Sequence, residues 1–491
     1  YHLGPWGDGT FKYYYTHDAE PNIDQLGASI PENRQRVWFS YQANPATNLY
    51  LKSLVRYESD TALTRDFFER EYIDNPQPNS FFEANRFWQN FSLDAYVQPQ
   101  LNGFLETVER LPDVRLTGYR QQLGDSPLYY ESESSAGYYR RSFAENAGIF
   151  GAPPGLDYEA GRADTFHQLL LPQTFFGWLN VTPRVGGRLT YYGTASGPGA
   201  TTDEATRGVF NTGAEVSFKA SRVWPDVQSK AFELDGLRHI IEPSANYVFV
   251  PDPTTPPNQL PQFDYELPSL RLLPIDYPDY NAIDSIDSQN VIRWGLRNKL
   301  QTKREGQIVN VVNWDLYTDW RLHPRSEQSS FADLYSDLAV RPRSWLTLES
   351  LTRSDVEDNL LRMSYTTLTF QPGTAWSWRI GQYYLRDDLS SSPTALGVGN
   401  NAFTSSLYYR LNENWGLRFA HYFDVRTGRL LQQSYTVYRD LRSWTAALSF
   451  IARDNQIGPE DYGVAFTFSL KAYPHFGLGT DAAGAYSLLG L

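Results

Sequence analysis

Stretches of about ten residues in which apolar and small or polar side chains alternate recur along the chain, and they constrain its fold more than any other feature. In DYGVAFTFSL, 461–470, Tyr462, Val464, Phe466, Phe468 and Leu470 hold one set of alternate positions, and Gly463, Ala465, Thr467 and Ser469 the other. Successive side chains of a strand point to opposite faces, so this segment has one apolar face and one small, polar face. VVNWDLYTDW, 311–320, sets Val312, Trp314, Leu316, Thr318 and Trp320 against Asn313, Asp315, Tyr317 and Asp319. NAFTSSLYYR, 401–410, NFSLDAYVQ, 90–98, and WTAALSFIAR, 444–453, do the same through Phe403, Leu407 and Tyr409, through Phe91, Leu93, Ala95 and Val97, and through Trp444, Leu448 and Phe450. A soluble sandwich or propeller would bury the apolar face. An outer-membrane barrel would turn it to lipid and keep the polar face for its lumen.

The 34 Tyr, 28 Phe and 13 Trp among 491 residues coexist with a mean hydropathy of −0.49, so aromatic residues are interleaved with polar ones. No run reaches the roughly 18–20 apolar residues of a spanning helix, which leaves strands as the only way to cross a membrane. Short breaks such as LNENW, 411–415, and VRTGR, 425–429, alternate with long polar ones such as SGPGATTDEATRG, 196–208, and PDPTTPPNQLPQ, 251–262. Short turns at one end and long loops at the other are the barrel arrangement, and the two long stretches are expected on the same side. Only RDFFEREYI, 65–73, suggests a helical turn or two. The pattern runs from Phe11 to Leu470 without a shift in composition. The expected fold is all-β: a large transmembrane antiparallel β-barrel of about 24–26 strands over residues 1–475, with a C-terminal tail at 476–491. The chain opens on Tyr1 without a basic and then apolar leader, as a mature chain or excised domain would. On this fold Phe466→Arg should prevent insertion and Thr467→Arg should be tolerated.

A net charge of −13 argues against a nucleic-acid partner, which would need a basic stripe. The absence of Cys removes thiolate metal sites and Cys nucleophiles. His2, His17, His167, His239, His323, His421 and His475 are scattered, with no H-x-x-x-H pair and no G-x-S-x-G elbow, so neither a cofactor nor catalysis is expected. His421, on a predicted strand, is the candidate if the protein is instead an outer-membrane hydrolase; a passive porin is the other alternative. In NAIDSIDSQN, 281–290, Asp284 and Asp287 have the chemistry to hold a cation, but their spacing matches a calcium loop poorly and a solvated loop is expected.

DYNAIDSIDSQNVIRWGLRNKLQTK, 279–303, resembles a segment of the LptD family of lipopolysaccharide-assembly outer-membrane proteins, in which a D-x-I-x-x-x-N loop leads into a G-L strand; Asp284, Asp287, Asn290, Gly295 and Leu296 carry the match. GLRHIIEPSANYVFVPDP, 236–253, is similar to the same family's H-x-x-E-P-x-x-x-Y-x-x-V-P strand through His239, Glu242, Pro243, Tyr247, Val250 and Pro251. SLVRYESDTALTRDFF, 53–68, and LLLPQTFFGWLNVTPRVGGRLTYY, 169–192, extend the likeness.

The resemblance implies a barrel in the outer membrane of a Gram-negative bacterium that receives lipopolysaccharide from a periplasmic bridge protein and releases it sideways through a lateral gate. It also implies a plug lipoprotein of the LptE type and insertion by the barrel-assembly machinery. The bridge docks on an N-terminal domain that this sequence does not contain. In the family, prolines weaken pairing beside the gate, because proline donates no N–H. Pro5 is the nearest candidate here, with Pro21 farther along. The gate is expected between a first strand bearing Phe11 and Tyr13 and a closing strand bearing Tyr462, Val464 and Phe466.

Overall fold

The computed structural model describes residues 4–478 apart from 22, 25–28, 69–70, 73–74, 76, 145–154, 265–269, 273–274, 276–281, 325–327, 391–394 and 455–459. It is one sheet of 25 strands. The first nine are β1 (Asp8–His17), β2 (Asn33–Ala46), β3 (Leu49–Glu58), β4 (Phe81–Phe87), β5 (Phe91–Gln98), β6 (Thr107–Gln122), β7 (Tyr129–Ser142), β8 (Tyr158–Leu170) and β9 (Gln173–Phe175). Then follow β10 (Leu179–Tyr192), β11 (Ala205–Phe218), β12 (Ala220–Ser229), β13 (Leu234–Val250), β14 (Gln289–Arg304), β15 (Gln307–Arg321), β16 (Leu334–Arg343) and β17 (Leu346–Asp355). The last eight are β18 (Leu360–Phe370), β19 (Trp376–Leu385), β20 (Asn400–Asn412), β21 (Trp415–Asp424), β22 (Arg429–Asp440), β23 (Trp444–Arg453), β24 (Asp461–Leu470) and β25 (Tyr473–Leu478).

Each strand pairs antiparallel with its chain neighbours, with two interruptions. β8 and β9 both pair with β10 and are separated at Leu171 and Pro172; β11 and β12 both pair with β13 and are separated at Lys219. The second break lies opposite Pro243, which pairs with Leu296 of β14 on its other side. Proline has no N–H to give, so the missing donor and the missing rung coincide.

The expected alternation of faces is present. On β24, Tyr462, Val464 and Phe466 are 68%, 74% and 59% exposed, whereas Thr467 and Ser469 are buried. Trp314 and Trp320 on β15, Phe403 and Tyr409 on β20, and Leu448 and Phe450 on β23 are likewise exposed. Large apolar side chains turned outward along a whole sheet are the signature of a lipid-facing wall. Thr467 is only 6% exposed. Its cross-strand neighbour Ala447 is covered by the rings of Tyr408 and Tyr438, so this inward position has no room for Arg and the expected tolerance of Thr467→Arg is withdrawn.

Long loops leave one end of the sheet, among them 18–32, 59–80, 193–204, 251–288 and 386–399. Tight turns such as 47–48, 305–306, 413–414 and 471–472 close the other. The two long stretches expected on one side are on one side. VRTGR is different: the turn 425–428 is short but sits at the long-loop end. At 305–306, Glu305 and Gly306 have φ of 50° and 79°, the pair of positive values a two-residue hairpin turn needs. Trp88, Trp178, Trp345, Trp415 and Trp444 stand beside the tight turns, and exposed Tyr15, Tyr57, Tyr138 and Tyr191 towards the long loops. Ring and polar tip suit the two membrane interfaces. The helical turn expected at 65–73 is α1, Leu63–Phe67, within the 59–80 loop.

Candidate functional site

The inward positions of β8, β10 and β11 carry Arg162, Asp164, Arg188, Tyr192 and Arg207, all buried. Phe263, Asp264 and Ile283–Ile286, in the loop that follows β13, fold back against Arg162, Tyr192 and Arg207, and Arg188 pairs with Asp164 at 2.8 Å. A short turn of this loop, Ile283–Ser285, presents Asp284 to the wall. Its carboxylate accepts from Arg162 Nη1 at 2.8 Å and Tyr192 Oη at 2.5 Å, and from the backbone N–H groups of Phe263 at 2.7 Å and Asp264 at 3.0 Å. Arg207 donates to the carbonyl oxygens of Ile283 and Asp284 at 2.5 and 3.1 Å. Arg162 also reaches Asp264 at 2.6 Å. Burial pushes the Asp264 carboxyl above its ordinary range against the pull of Arg162. Around this polar centre Phe263 stacks on Tyr139 at 5.5 Å, and Ile283 and Ile286 pack on Val209, Val248 and Val250.

This corrects the expectation for Asp284. It is fully buried, its oxygens are taken by cationic and N–H donors, and neither a solvated loop nor a cation site describes it. Asp287 Oδ1 accepts from the backbone N–H of Ser288 at 2.7 Å. Spacing along the chain carries no sign of a partner more than a hundred positions away.

The two motif segments become one hairpin. Pro243 pairs with Leu296, Ser244 with Gly295 and Phe249 with Asn290. A Cβ at Gly295 would lie 2.6 Å from Ser244 Oγ, so any larger residue there would have to turn the serine hydroxyl aside. Glu242 faces the lumen between Lys219 at 3.0 Å and Arg297 at 3.3 Å. His239 and Tyr247 are on the outward face, and His239 Nε2 lies 3.4 Å from Asn298 Oδ1. Asn290 Nδ2 lies 2.8 Å from His323 Nδ1.

A second loop lines the sheet at its β1 edge. Buried Arg34 of β2 holds Asp60 at 2.7 Å and Asp66 at 3.0 Å, and Arg36 holds Glu71 at 2.7 Å beneath the ring of Phe68. Tyr14 of β1 packs on Phe68 at 5.0 Å. The 59–80 loop therefore covers the inner face of β1 and β2. None of Arg34, Arg162 and Arg207 was singled out from sequence; the available signal was an arginine on the inward phase of an alternating strand.

β1 pairs with β2 alone, and among the described residues no ladder joins it to β24 or β25. β25 pairs with the last three residues of β24 and runs across the 475/476 boundary; residues 479–491 of the expected tail lie outside the described residues. Phe11, Tyr13, Tyr462, Val464 and Phe466 are exposed on the outer face. Pro5 lies in the turn Gly4–Trp6 ahead of β1, and Pro21 in the 18–32 loop. His421 is on the outer face of β21, where its hydrogen-bond partner among the described residues is Tyr435 Oη at 3.3 Å.

The family described as LptD, LPS transport system D, matches residues 34–415. No curated protein matches the chain. Among solved structures, the siderophore receptor PirA from Pseudomonas aeruginosa is 9% identical with a TM-score of 0.38, over 93% of this chain and 79% of the receptor. A ferric enterobactin receptor (PfeA) from the same organism is 8% identical with a TM-score of 0.31, over 94% and 72%. PirA from Acinetobacter baumannii is 9% identical with a TM-score of 0.30, over 96% and 74%. The barrel assignment rests on the strands themselves.

Proposed function

The chain belongs to the LptD family of lipopolysaccharide transport in the Gram-negative outer membrane, and from that premise we propose that it is the translocon that delivers lipopolysaccharide sideways, between β1 and β24, into the outer leaflet. The observation that carries this reading is the pair of strand edges without a common ladder among the described residues. β1 runs from the tight turns to the long loops and β24 runs back, so the two have the polarity for an antiparallel seam. Lipopolysaccharide has an anionic sugar head that needs a polar path and acyl chains that need lipid. A polar lumen with a separable seam offers both. Each net backbone hydrogen bond contributes about 0.5–1.5 kcal/mol, so a seam lacking a few of them opens far more often than any other strand pair. Long loops on barrels of this class are extracellular, which puts the docked 251–288 loop near the outer mouth. A plug lipoprotein, a periplasmic bridge and the assembly machinery are the partners this role calls for.

Single cysteines placed along Thr10–Thr16 and Tyr462–Thr467 test the seam, and the native chain contributes no Cys to confuse the result. A pair that oxidises should leave the barrel folded and stop delivery of lipopolysaccharide to the surface, and reductant should restore it. Delivery at the unlocked rate through a locked seam would favour a porin-like pore instead. Tags in 193–204 and 251–288 that label from the periplasm would reverse the orientation.

A further inference from the structure

The two strands that border the seam are secured to the wall in different ways. Each is ten residues long and is paired along its whole length on its other edge, β1 with β2 and β24 with β23. The backbone ladders therefore do not distinguish them. Their inward side chains do. On β1 these include Lys12, Tyr14 and Thr16, which the register sets beside Trp38, Arg36 and Arg34 of β2.

Three residues of the 59–80 loop lie over this inner face, and each of them touches both strands. Phe67 packs on Tyr14 at 5.4 Å and on the Arg34 guanidinium at 5.0 Å, and Phe68 meets Tyr14 edge-on at 5.0 Å and the Arg36 guanidinium at 3.5 Å. Glu71 accepts from Lys12 Nζ through Oε1 at 3.5 Å and from Arg36 Nη2 through Oε2 at 2.7 Å. The loop itself is rooted where buried Arg34 holds Asp60 and Asp66. Peeling β1 from β2 would therefore break ring packing, cation–ring contacts and charge-assisted hydrogen bonds along with the ladder.

β24 is held more simply. Its inward Gly463, Ala465, Thr467 and Ser469 make no side-chain hydrogen bond or ion pair among the described residues. Its ring contacts, Phe468 with Trp444 and Tyr462 with Phe450, go to β23 alone. Lys471, in the turn below, binds Asp440 at 2.6 Å, so the strand is tied at its tight-turn end. We infer that the seam opens on one side: β1 is a fixed post, held by Phe67, Phe68 and Glu71 as positioning residues, and β24 is the leaf that moves. This rests on the lateral seam proposed above and adds which of its strands yields. Local opening selects the segment with the least to break.

Distances between nitroxide labels test this on the whole chain in nanodiscs, where the lack of native Cys leaves only the introduced sites to react. Val185→Cys, on the exposed face of β10, is the common reference, combined with Phe11→Cys on β1 or with Val464→Cys on β24. The pair with Val464→Cys should show a second distance, displaced by at least one strand spacing of about 5 Å, and the pair with Phe11→Cys a single one. Phe68→Ala with Glu71→Gln should add a second distance at position 11, with unchanged heat-modifiable migration on a gel. Phe68→Tyr, which keeps the ring, should leave position 11 with one. A second distance at position 11 while the brace is native, or none there after the double substitution, would overturn the inference and leave the seam standing. Single distances at both positions would show a seam that does not open, and would overturn the lateral route together with the inference.

Discussion

On β8, β10 and β11 the inward positions hold Arg162, Asp164, Arg188 and Arg207, each buried against a charged or carbonyl partner. On β23 and β24 the same phase holds Thr445, Ala447, Ser449, Thr467 and Ser469. The difference lies in how each resists separation: the first is held by buried charges that need every partner in place, the second by its backbone ladder, the neutral Thr436–Ser449 hydroxyl pair and the ring contacts of Trp444 with Phe468 and Phe450 with Tyr462. A charged wall is costly to disturb anywhere, because an ion left without its partner in a dry interior is strongly unfavourable. A wall of small residues lets go one rung at a time. One barrel thus combines an anchored side that docks a loop and a smooth side that ends at the seam.

Asp284→Ala should have the largest effect on this contrast. It removes the acceptor of Arg162, Tyr192 and two backbone N–H groups at once, and should destabilise the docked loop by about 3–5 kcal/mol. Protease cleavage within 251–288 would report it, with the barrel still migrating as folded. Resistance equal to the native protein would mean that the anchor is not electrostatic. Next in size, Phe466→Arg on the lipid face should cost about 2–4 kcal/mol and abolish stable insertion, whereas Ala465→Arg, inward and half-buried, should insert. Equal loss from both would reverse the assigned faces of β24.

Hydrogen exchange should then rank the two walls. Amides of Tyr462–Thr467 are expected to exchange about 10–100-fold faster than those of β10, as local opening at a weak edge requires. Uniform protection would remove the contrast altogether. The smallest effect is an acid-sensitive link between loops. Arg426, which binds Asp387 through Nη2 at 2.8 Å, holds that carboxyl below its usual value of 3.8, with the N–H of Gly399 adding to the effect. Because the folded value is depressed, the link is complete above about pH 4 and is lost as pH falls through the lower, folded value. Protection of the Gly399 amide should fall a few-fold there and stay level near neutrality; a change near neutrality instead would assign it to another group.

The strands and their faces were legible because period two is a local property: β15, β20, β23 and β24 could be placed by reading alternate letters. The docked loop was not. Asp284 in NAIDSID reads as polar and therefore solvated, and only the fold brings Arg162, Tyr192 and the Phe263 amide to it. The Pro243 break is intermediate, since a proline inside a strand pattern announces an interrupted ladder without saying which neighbour is interrupted. The turn at 425–428 shows the same limit, because a turn's length does not reveal the end of the sheet to which it belongs.

The neighbour-to-neighbour meander also has a kinetic consequence. Every ladder among the described residues joins strands consecutive in the chain or separated by a single strand, so each hairpin can be added to a growing sheet soon after its residues arrive. Bringing β1 to β24 is a different event, because it closes a loop of about 450 residues. On the logarithmic law for chain entropy this is about 4 kcal/mol more demanding than closing a four-residue turn. The contact with the greatest entropic penalty also has no ladder among the described residues to offset it. On the proposed reading, folding order and gating have one origin: the junction formed last is the junction that opens.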